Sequence, residues 1–299
     1  MKVEIRDPRF SSVVGDDVSF EKIATGFLFT EGPIWHGKEQ CLLFSDIPAN
    51  HARRWSEKEE VSTYRQPSNM SNGMTWDRSG NVLACEHATS QVTRCDLSGG
   101  SVVPLATHHQ GKQLNSPNDI VCAPDGGIYF TDPPYGRAEF YGIKREQELA
   151  FQGVYRVGSD PRHPVLLVDD FDRPNGLCFS IDNRQLFIND TARQHIRVFD
   201  LNSNGTLSRG KIWAETKGEG AGAPDGMKID SAGNLYCCGP GGIHVFTPDA
   251  VCLGVIRVPE YTANFAWGDG DYRSLFIAAS TSIYRIRVKT PGRPMFVSR

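Results

Sequence analysis

Six positions in this 299-residue sequence place a carboxylate or a carboxamide in the same local setting. They open the runs Glu31-Gly-Pro-Ile-Trp, Asn72-Gly-Met-Thr-Trp, Asn118-Asp-Ile-Val-Cys, Asn175-Gly-Leu-Cys-Phe, Asp225-Gly-Met-Lys-Ile and Asn264-Phe-Ala-Trp-Gly. Brought to one point, these side chains would form a set of hard oxygen donors, which suits Ca²⁺ first, then Mg²⁺, with Mn²⁺ or Zn²⁺ as possible replacements. The charges argue the same way. Two acids converging on a narrow space repel, and one would take up a proton unless a cation compensated. A single divalent ion among two carboxylates and several neutral amide oxygens gives a neutral cluster. Taken singly, an Asn-Gly or Asp-Gly is more often a turn. Six copies in phase, with separate turn residues downstream, favour convergence.

The elements that would position them follow from the repeat. The spacings between starts are 41, 46, 57, 50 and 39 residues. Turn clusters follow most starts, at Asp77-Arg-Ser-Gly80, Pro124-Asp-Gly-Gly127, Asp182-Asn-Arg184, Asp230-Ser-Ala-Gly233 and Asp269-Gly-Asp271. There Gly supplies positive φ and Asp or Asn caps its own backbone. Return strands are predicted at 41–44, 82–85, 128–130, 186–188, 235–238 and 275–277, and third strands at 92–95, 154–157, 195–199, 243–246 and 283–288. Several of the third strands alternate apolar and polar residues. This reads as an all-β, six-bladed β-propeller with four-stranded blades around a central metal site. One domain spans 1–299, with a short N-terminal extension over about 1–17, and residues near Val18–Ala24 close the ring beside the last blade. The first strand of each blade lines the axis, so the six positions meet at one end of it. The same phase separates two Pro-Asp-Gly runs: Asp225 falls on the axis, and Asp125 in a hairpin turn at the far end.

Each return strand ends on the site face. That places Asp46, Glu86, His87, Asp132, Asn189 and Asp190 in a second ring, where substrate contacts are expected. The 57-residue spacing reflects an insertion after Asp132, from Pro133 to Gln152, which emerges on the site face as a possible lid. Tyr135, Arg137, Phe140 and Tyr141 are its candidate contacts. His87 is a second candidate proton carrier, since an unperturbed imidazole titrates near pH 6.5.

Composition excludes several classes. The net charge of −3 gives no basic surface for nucleic acid. No apolar run is long enough for a membrane span, and the start MKVEIRDPRF lacks a signal-peptide core. The eight cysteines form no C-x-x-C pair, so buried reduced thiols in the cytoplasm are expected rather than zinc-thiolate or disulfide chemistry. Gly32 to Lys38 mimics a phosphate loop, but Glu39 stands where Ser or Thr is required. There is no H-E-x-x-H and no G-x-S-x-G.

The runs Glu31-Gly-Pro, Ser116-Pro-Asn-Asp119, Pro174-Asn-Gly176 and Pro224-Asp-Gly226 carry a resemblance over about residues 20–288. The chain resembles the senescence marker protein, gluconolactonase and luciferin-regenerating enzyme family. The resemblance implies a six-bladed propeller, one divalent metal and hydrolysis of sugar lactones. It implies Glu31, Asn118, Asn175 and Asp225 as metal ligands, with Asp225 also the general base. Asn72 and Asn264 would then approach water or substrate. The animal members have an arginine two residues before the second ligand, and it contacts substrate; Ser116 stands there in this chain. The segments Asn115-Ser-Pro-Asn118 and Asp132-Pro-Pro-Tyr135 look more like the bacterial gluconolactonase branch.

The function expected is therefore metal-dependent hydrolysis of an aldonolactone such as gluconolactone to the aldonic acid. Asp225 is the catalytic residue, and Asn72, Asn264, Glu86, His87, Asp132 and Tyr135 are the substrate contacts. The expected partner is a small sugar lactone, with no nucleic acid and no membrane, on a monomer or weak homo-oligomer. Two other readings are a hydrolase of another lactone or a phosphotriester, and a non-catalytic propeller that keeps the metal for stability.

Overall fold

A computed structural model describes residues 2–294; six antiparallel sheets form the blades of a propeller, and a two-stranded ladder pairs His108–His109 with Lys112–Gln113. Blade 1 consists of Thr30–His36, Cys41–Asp46, His51–Ser56 and Glu60–Arg65. Blade 2 consists of Ser71–Trp76, Val82–Glu86, Gln91–Cys95 and Val103–Ala106. Blades 3 and 4 begin at the inner strands Ile120–Cys122 and Pro174–Phe179, and blades 5 and 6 at Met227–Ile229 and Thr262–Gly268.

Ring closure is a strand exchange between the chain's two ends. Glu21–Thr25 pairs antiparallel with Ser282–Arg287 and supplies the outer strand of blade 6. The segment before residue 18 also packs into the ring. Val3–Ile5 adds a fifth strand to blade 5, pairing Val3 with Ile256. The short helix Phe10–Val13 places Phe10 and Val14 in the layer between blades 5 and 6.

Six buried apolar clusters fill the six gaps between neighbouring blades. Trp35 and Phe276 stack between blades 6 and 1, with ring centroids 5.0 Å apart. Because both faces of a blade pack on neighbours, several strands near the axis do not alternate: Thr30–His36, Cys41–Asp46 and Ser274–Ala279 are buried throughout. The alternation predicted for the third strands holds at His195–Leu201 and is lost in Gly242–Phe246, which is buried along its whole length. All eight cysteines are free thiols, seven of them buried. Among the described residues no helix is long and apolar enough to cross a membrane.

Candidate active site

Each blade turns its axial side chain inward by one of two devices. In blades 1, 2, 4 and 6 the pairing of the inner strand with its neighbour slips register at the axial residue. Such bulges re-aim a side chain. In blades 3 and 5 the inner strand starts only at Ile120 and Met227, two residues after Asn118 and Asp225. The glycine after the axial residue is needed for close approach, and at Gly32 also for a φ of 53°. A Cβ on Gly32 would lie 2.0 Å from the Asn72 carbonyl oxygen, and one on Gly176 would lie 2.2 Å from that of Asp225.

Side chains of the second strand then fix the axial backbone of the following blade. Ser45 Oγ donates to the Asn72 carbonyl at 2.8 Å, Thr131 Oγ1 to that of Asn175 at 2.8 Å, and Asn189 Nδ2 to that of Asp225 at 2.6 Å. The next residue in each of these strands is an acid that clamps the loop leading into its own blade. Asp46 accepts the Leu28 and Phe29 N–H groups, Asp132 that of Asn115, and Asp190 those of Asp172 and Arg173.

The axial carboxamides run head to tail. Asn72 Nδ2 donates to Asn118 Oδ1 at 2.7 Å, Asn118 Nδ2 to Asn175 Oδ1 at 2.5 Å, and Asn175 Nδ2 to Thr191 Oγ1 at 3.1 Å. Thr191 ends the chain by donating to the Pro224 carbonyl at 2.6 Å. An amide oxygen has two lone pairs, so Asn118 and Asn175 each retain one after accepting these bonds. Glu31 is fixed through a single oxygen: Oε2 accepts from the Gly32 N–H at 2.5 Å and from Asn264 Nδ2 at 3.0 Å. Asp225 lies within hydrogen-bonding reach of Glu31 and Asn175. Burial holds both acids above the ordinary carboxylate range, and neighbouring negative charge adds to it, from Asp119 on Glu31 and from Glu31 and Asp119 on Asp225. Among the described residues no three His, Cys, Asp or Glu side chains group as a metal site. The donors available here are mixed instead: Glu31 Oε1, the Asp225 carboxylate and the free lone pairs of Asn118 and Asn175. That all-oxygen set with two uncompensated acids fits a hard divalent cation.

Above these donors lies a cavity of about 100 Å³ that opens on the site face. Glu31, Asn72, Asn118, Asn175 and Asp225 form its polar floor, and Phe29, Ile47, Tyr135, Tyr141 and Tyr261 its walls, with His87 and Thr191 between. Phe29 meets Tyr141 edge to face at 5.1 Å. Tyr135 Oη is buried with no hydrogen bond within 3.5 Å among the described residues, and burial pushes its pKa up to about 12 against an opposing interaction with Thr191. His87 is held neutral: its Nδ1 donates to the Tyr141 carbonyl at 2.8 Å, so its Nε2 accepts from Asn72 Nδ2 at 3.2 Å. Burial pushes its pKa down to about 4. With both ring nitrogens engaged, His87 is poorly placed to carry protons.

Of the predicted substrate contacts, Asn72, His87 and Tyr135 line the cavity, while Glu86, Asp132 and Asn264 do not. Glu86 is fully buried against Arg65 at 2.8 Å and accepts from Asn69, Thr89, Gln91 and Thr93. Asp132 clamps the loop before Asn118, and burial pushes its pKa up to about 7. Asn264 has its oxygen taken by Lys228 Nζ at 3.0 Å and the Phe265 N–H at 2.9 Å, so its amide faces Glu31. The second ring is thus mainly a set of clamps. Arg137 of the insertion is likewise internal, donating to the carbonyls of Asn115 and Leu114 at 2.7 Å each. Ser116 pins the insertion, donating to the Pro133 carbonyl at 2.6 Å and accepting from the Gly136 N–H at 2.9 Å. Asp125 sits in an exposed hairpin, accepting the Gly127 N–H at 2.8 Å.

Several site residues were not predicted. Phe29, Thr191 and Tyr261 stand just before an axial residue or just after a second strand, positions that the repeat could have flagged. Asp119 occupies the place in the repeat where four other blades have glycine, and that departure was visible in the sequence. Asp119 and Lys228 border an apolar cavity of about 170 Å³ at the opposite end of the axis.

Comparison with known proteins gives a consistent set of relatives. Residues 29–281 match the family model described as SMP-30/gluconolactonase/LRE-like region. A gluconolactonase of Zymomonas mobilis subsp. mobilis is 35% identical over 314 aligned residues, covering 97% of this chain and 87% of the relative. The solved structure of a gluconolactonase from Xanthomonas campestris superposes with a TM-score of 0.88 at 30% identity, covering 96% of this chain and 95% of that one. The structure of a calcium-binding protein, regucalcin, from Agrobacterium tumefaciens shares the fold with a TM-score of 0.74 at 18% identity, covering 96% and 97%.

Proposed function

The chain belongs to the SMP-30/gluconolactonase/LRE-like family, and on that premise we propose that it hydrolyses an aldonolactone such as gluconolactone to the aldonic acid. The observation that carries the reading is the pairing of Glu31 and Asp225 with aligned amide oxygens on the floor of an aromatic-walled cavity. Glu31, Asn118, Asn175 and Asp225 would hold one divalent cation, with Ca²⁺ the first choice, as the description of the Agrobacterium relative suggests. Such an ion supplies Lewis-acid polarisation of the lactone carbonyl.

The protein's own residues divide the remaining work. Glu31 is anchored by two N–H donors and so contributes charge and position rather than proton transfer. The Asp225 carboxylate faces the cavity and is the group able to accept a proton from the attacking water. The water oxygen bonds to the carbonyl carbon, the ring C–O bond breaks, and the departing ring oxygen takes up the proton as a hydroxyl. Tyr135 Oη, which makes no hydrogen bond within 3.5 Å among the described residues, is suited to bind a substrate oxygen. Phe29, Tyr141 and Tyr261 offer apolar surface to the C–H face of a sugar ring and exclude water around it. We place the protein in the cytoplasm, in keeping with its free thiols, as a monomer or weak homo-oligomer acting on a small molecule alone.

The test is turnover of five- and six-membered aldonolactones before and after chelation, with Ca²⁺, Mg²⁺, Mn²⁺ or Zn²⁺ restored and spontaneous hydrolysis subtracted. Cation-dependent turnover well above background is expected. Tight cation binding with no turnover of any sugar lactone would sink the assignment.

A further inference from the structure

Beneath the proposed cation site lies a second layer of charge. Asp119 is buried; its Oδ1 accepts the Ile120 N–H at 2.9 Å, and the Leu177 backbone also donates to its carboxylate. Asp119 and Lys228 border the same cavity beneath the axial floor. Lys228 forms no ion pair within 4.0 Å among the described residues. Its Nζ sits 3.0 Å from Asn264 Oδ1 and 5.8 Å from the centre of the Phe265 ring. An ammonium only donates, so together with the Phe265 N–H at 2.9 Å it fixes which way the Asn264 carboxamide lies. The oxygen must face Lys228, and the Nδ2 must face Glu31 Oε2, where it stands at 3.0 Å. A chain of contacts therefore runs from Lys228 through Asn264 to Glu31.

Counting the axis gives three carboxylates, Glu31, Asp119 and Asp225, and one ammonium. Their net charge of −2 is balanced by a single divalent cation. Taking the axis to hold one divalent cation, as proposed above, we propose that Lys228 is the fixed counter-charge of the axis: it balances Asp119, holds Asn264 onto Glu31, and restricts the site to an ion of charge two. Without Lys228 the axis would carry −3 and would favour a trivalent ion. In a low-dielectric interior such a difference is felt across several ångströms, so contact with the ion is not required. Lys228 is thus a positioning and selectivity residue rather than a catalytic one.

The experiment compares binding of Ca²⁺ with that of Tb³⁺, a trivalent ion of similar size, by tyrosine-sensitised Tb³⁺ luminescence and Ca²⁺ competition. In Lys228→Met the ratio of Tb³⁺ to Ca²⁺ affinity should rise by about tenfold or more, since one repelling charge is gone. Lys228→Arg should keep the ratio within about twofold. Asp119→Asn should move it in the opposite direction, and carries the test if Lys228→Met does not fold. A packing role for Lys228 would weaken both ions alike and leave the ratio unchanged, which would overturn the inference. Failure of the unsubstituted protein to bind either ion would instead overturn the cation reading on which this one rests.

Discussion

Replacing Asp225 with Asn removes one of two acids that share the axial floor. The two carboxylates approach within hydrogen-bonding reach. Two unit charges about 4 Å apart repel by about 4 kcal/mol at an effective dielectric constant near 20. In the cation-free protein that repulsion adds to the cost of burying each acid. Both are held above their ordinary values of 4.5 for Glu31 and 3.8 for Asp225. The sign follows from proton linkage. Between the unfolded and folded pKa values the folded state binds more protons, so stability is greatest at the acidic end and is lost as pH rises through the window. In chelator, the unsubstituted protein should lose thermal stability from about pH 4 upward past neutrality, and Asp225→Asn should lose less. At pH 8 the variant is expected to melt roughly 5–10 °C higher, taking 2–4 °C per kcal/mol for a domain approaching this size and allowing for relaxation. Added Ca²⁺ should reverse the order, because only the unsubstituted site offers two charges to the ion. Turnover of the loaded variant should fall by about 10²- to 10⁴-fold. Thermal unfolding at several pH values, with chelator and with Ca²⁺, measures all of this. A variant that melts at or below the unsubstituted protein in chelator at pH 8, with the same pH slope, would refute the coupling of the two acids.

Tyr135→Phe removes a hydroxyl that makes no hydrogen bond within 3.5 Å among the described residues. Stability should stay within about 0.5 kcal/mol, while kcat/KM falls by about tenfold as a substrate hydrogen bond is lost. Glu86→Ala strands the buried Arg65 and should cost about 3–5 kcal/mol in urea unfolding, with KM little changed in the protein that remains folded, since Glu86 does not line the cavity. Gly176→Ala would force a Cβ to 2.2 Å from the Asp225 carbonyl. It should destabilise by about 1–3 kcal/mol and weaken cation binding in a titration, because the blade carrying Asp225 must move.

The clamps explain why part of the site was legible and part was not. Glu31, Asn72, Asn118, Asn175 and Asp225 were legible because they recur in phase with the strands, and phase fixes which end of the axis a residue reaches. The same phase brought Glu86 and Asp132 to the correct end of their strands. It could not say which way they turn. Asp132 turns toward the Asn115 N–H, and Glu86 toward the Arg65 guanidinium, each a buried donor contributed from outside its own strand. Asn264 is diverted in the same manner by Lys228, a residue 36 positions away.

The sequence by itself determined the number of blades, the sites of the hairpins, the closure of the ring by an N-terminal strand and the convergence of oxygen-bearing side chains, because these follow from spacing and local turn chemistry. Only the tertiary structure decided the direction of each carboxamide, the neutral state of His87, the separation of clamps from cavity walls, and the presence of Asp119 and Lys228 beneath the site. Those outcomes depend on hydrogen-bond partners contributed by other blades. A repeat read along one chain shows where a side chain sits, whereas its partners are known only once the ring has closed.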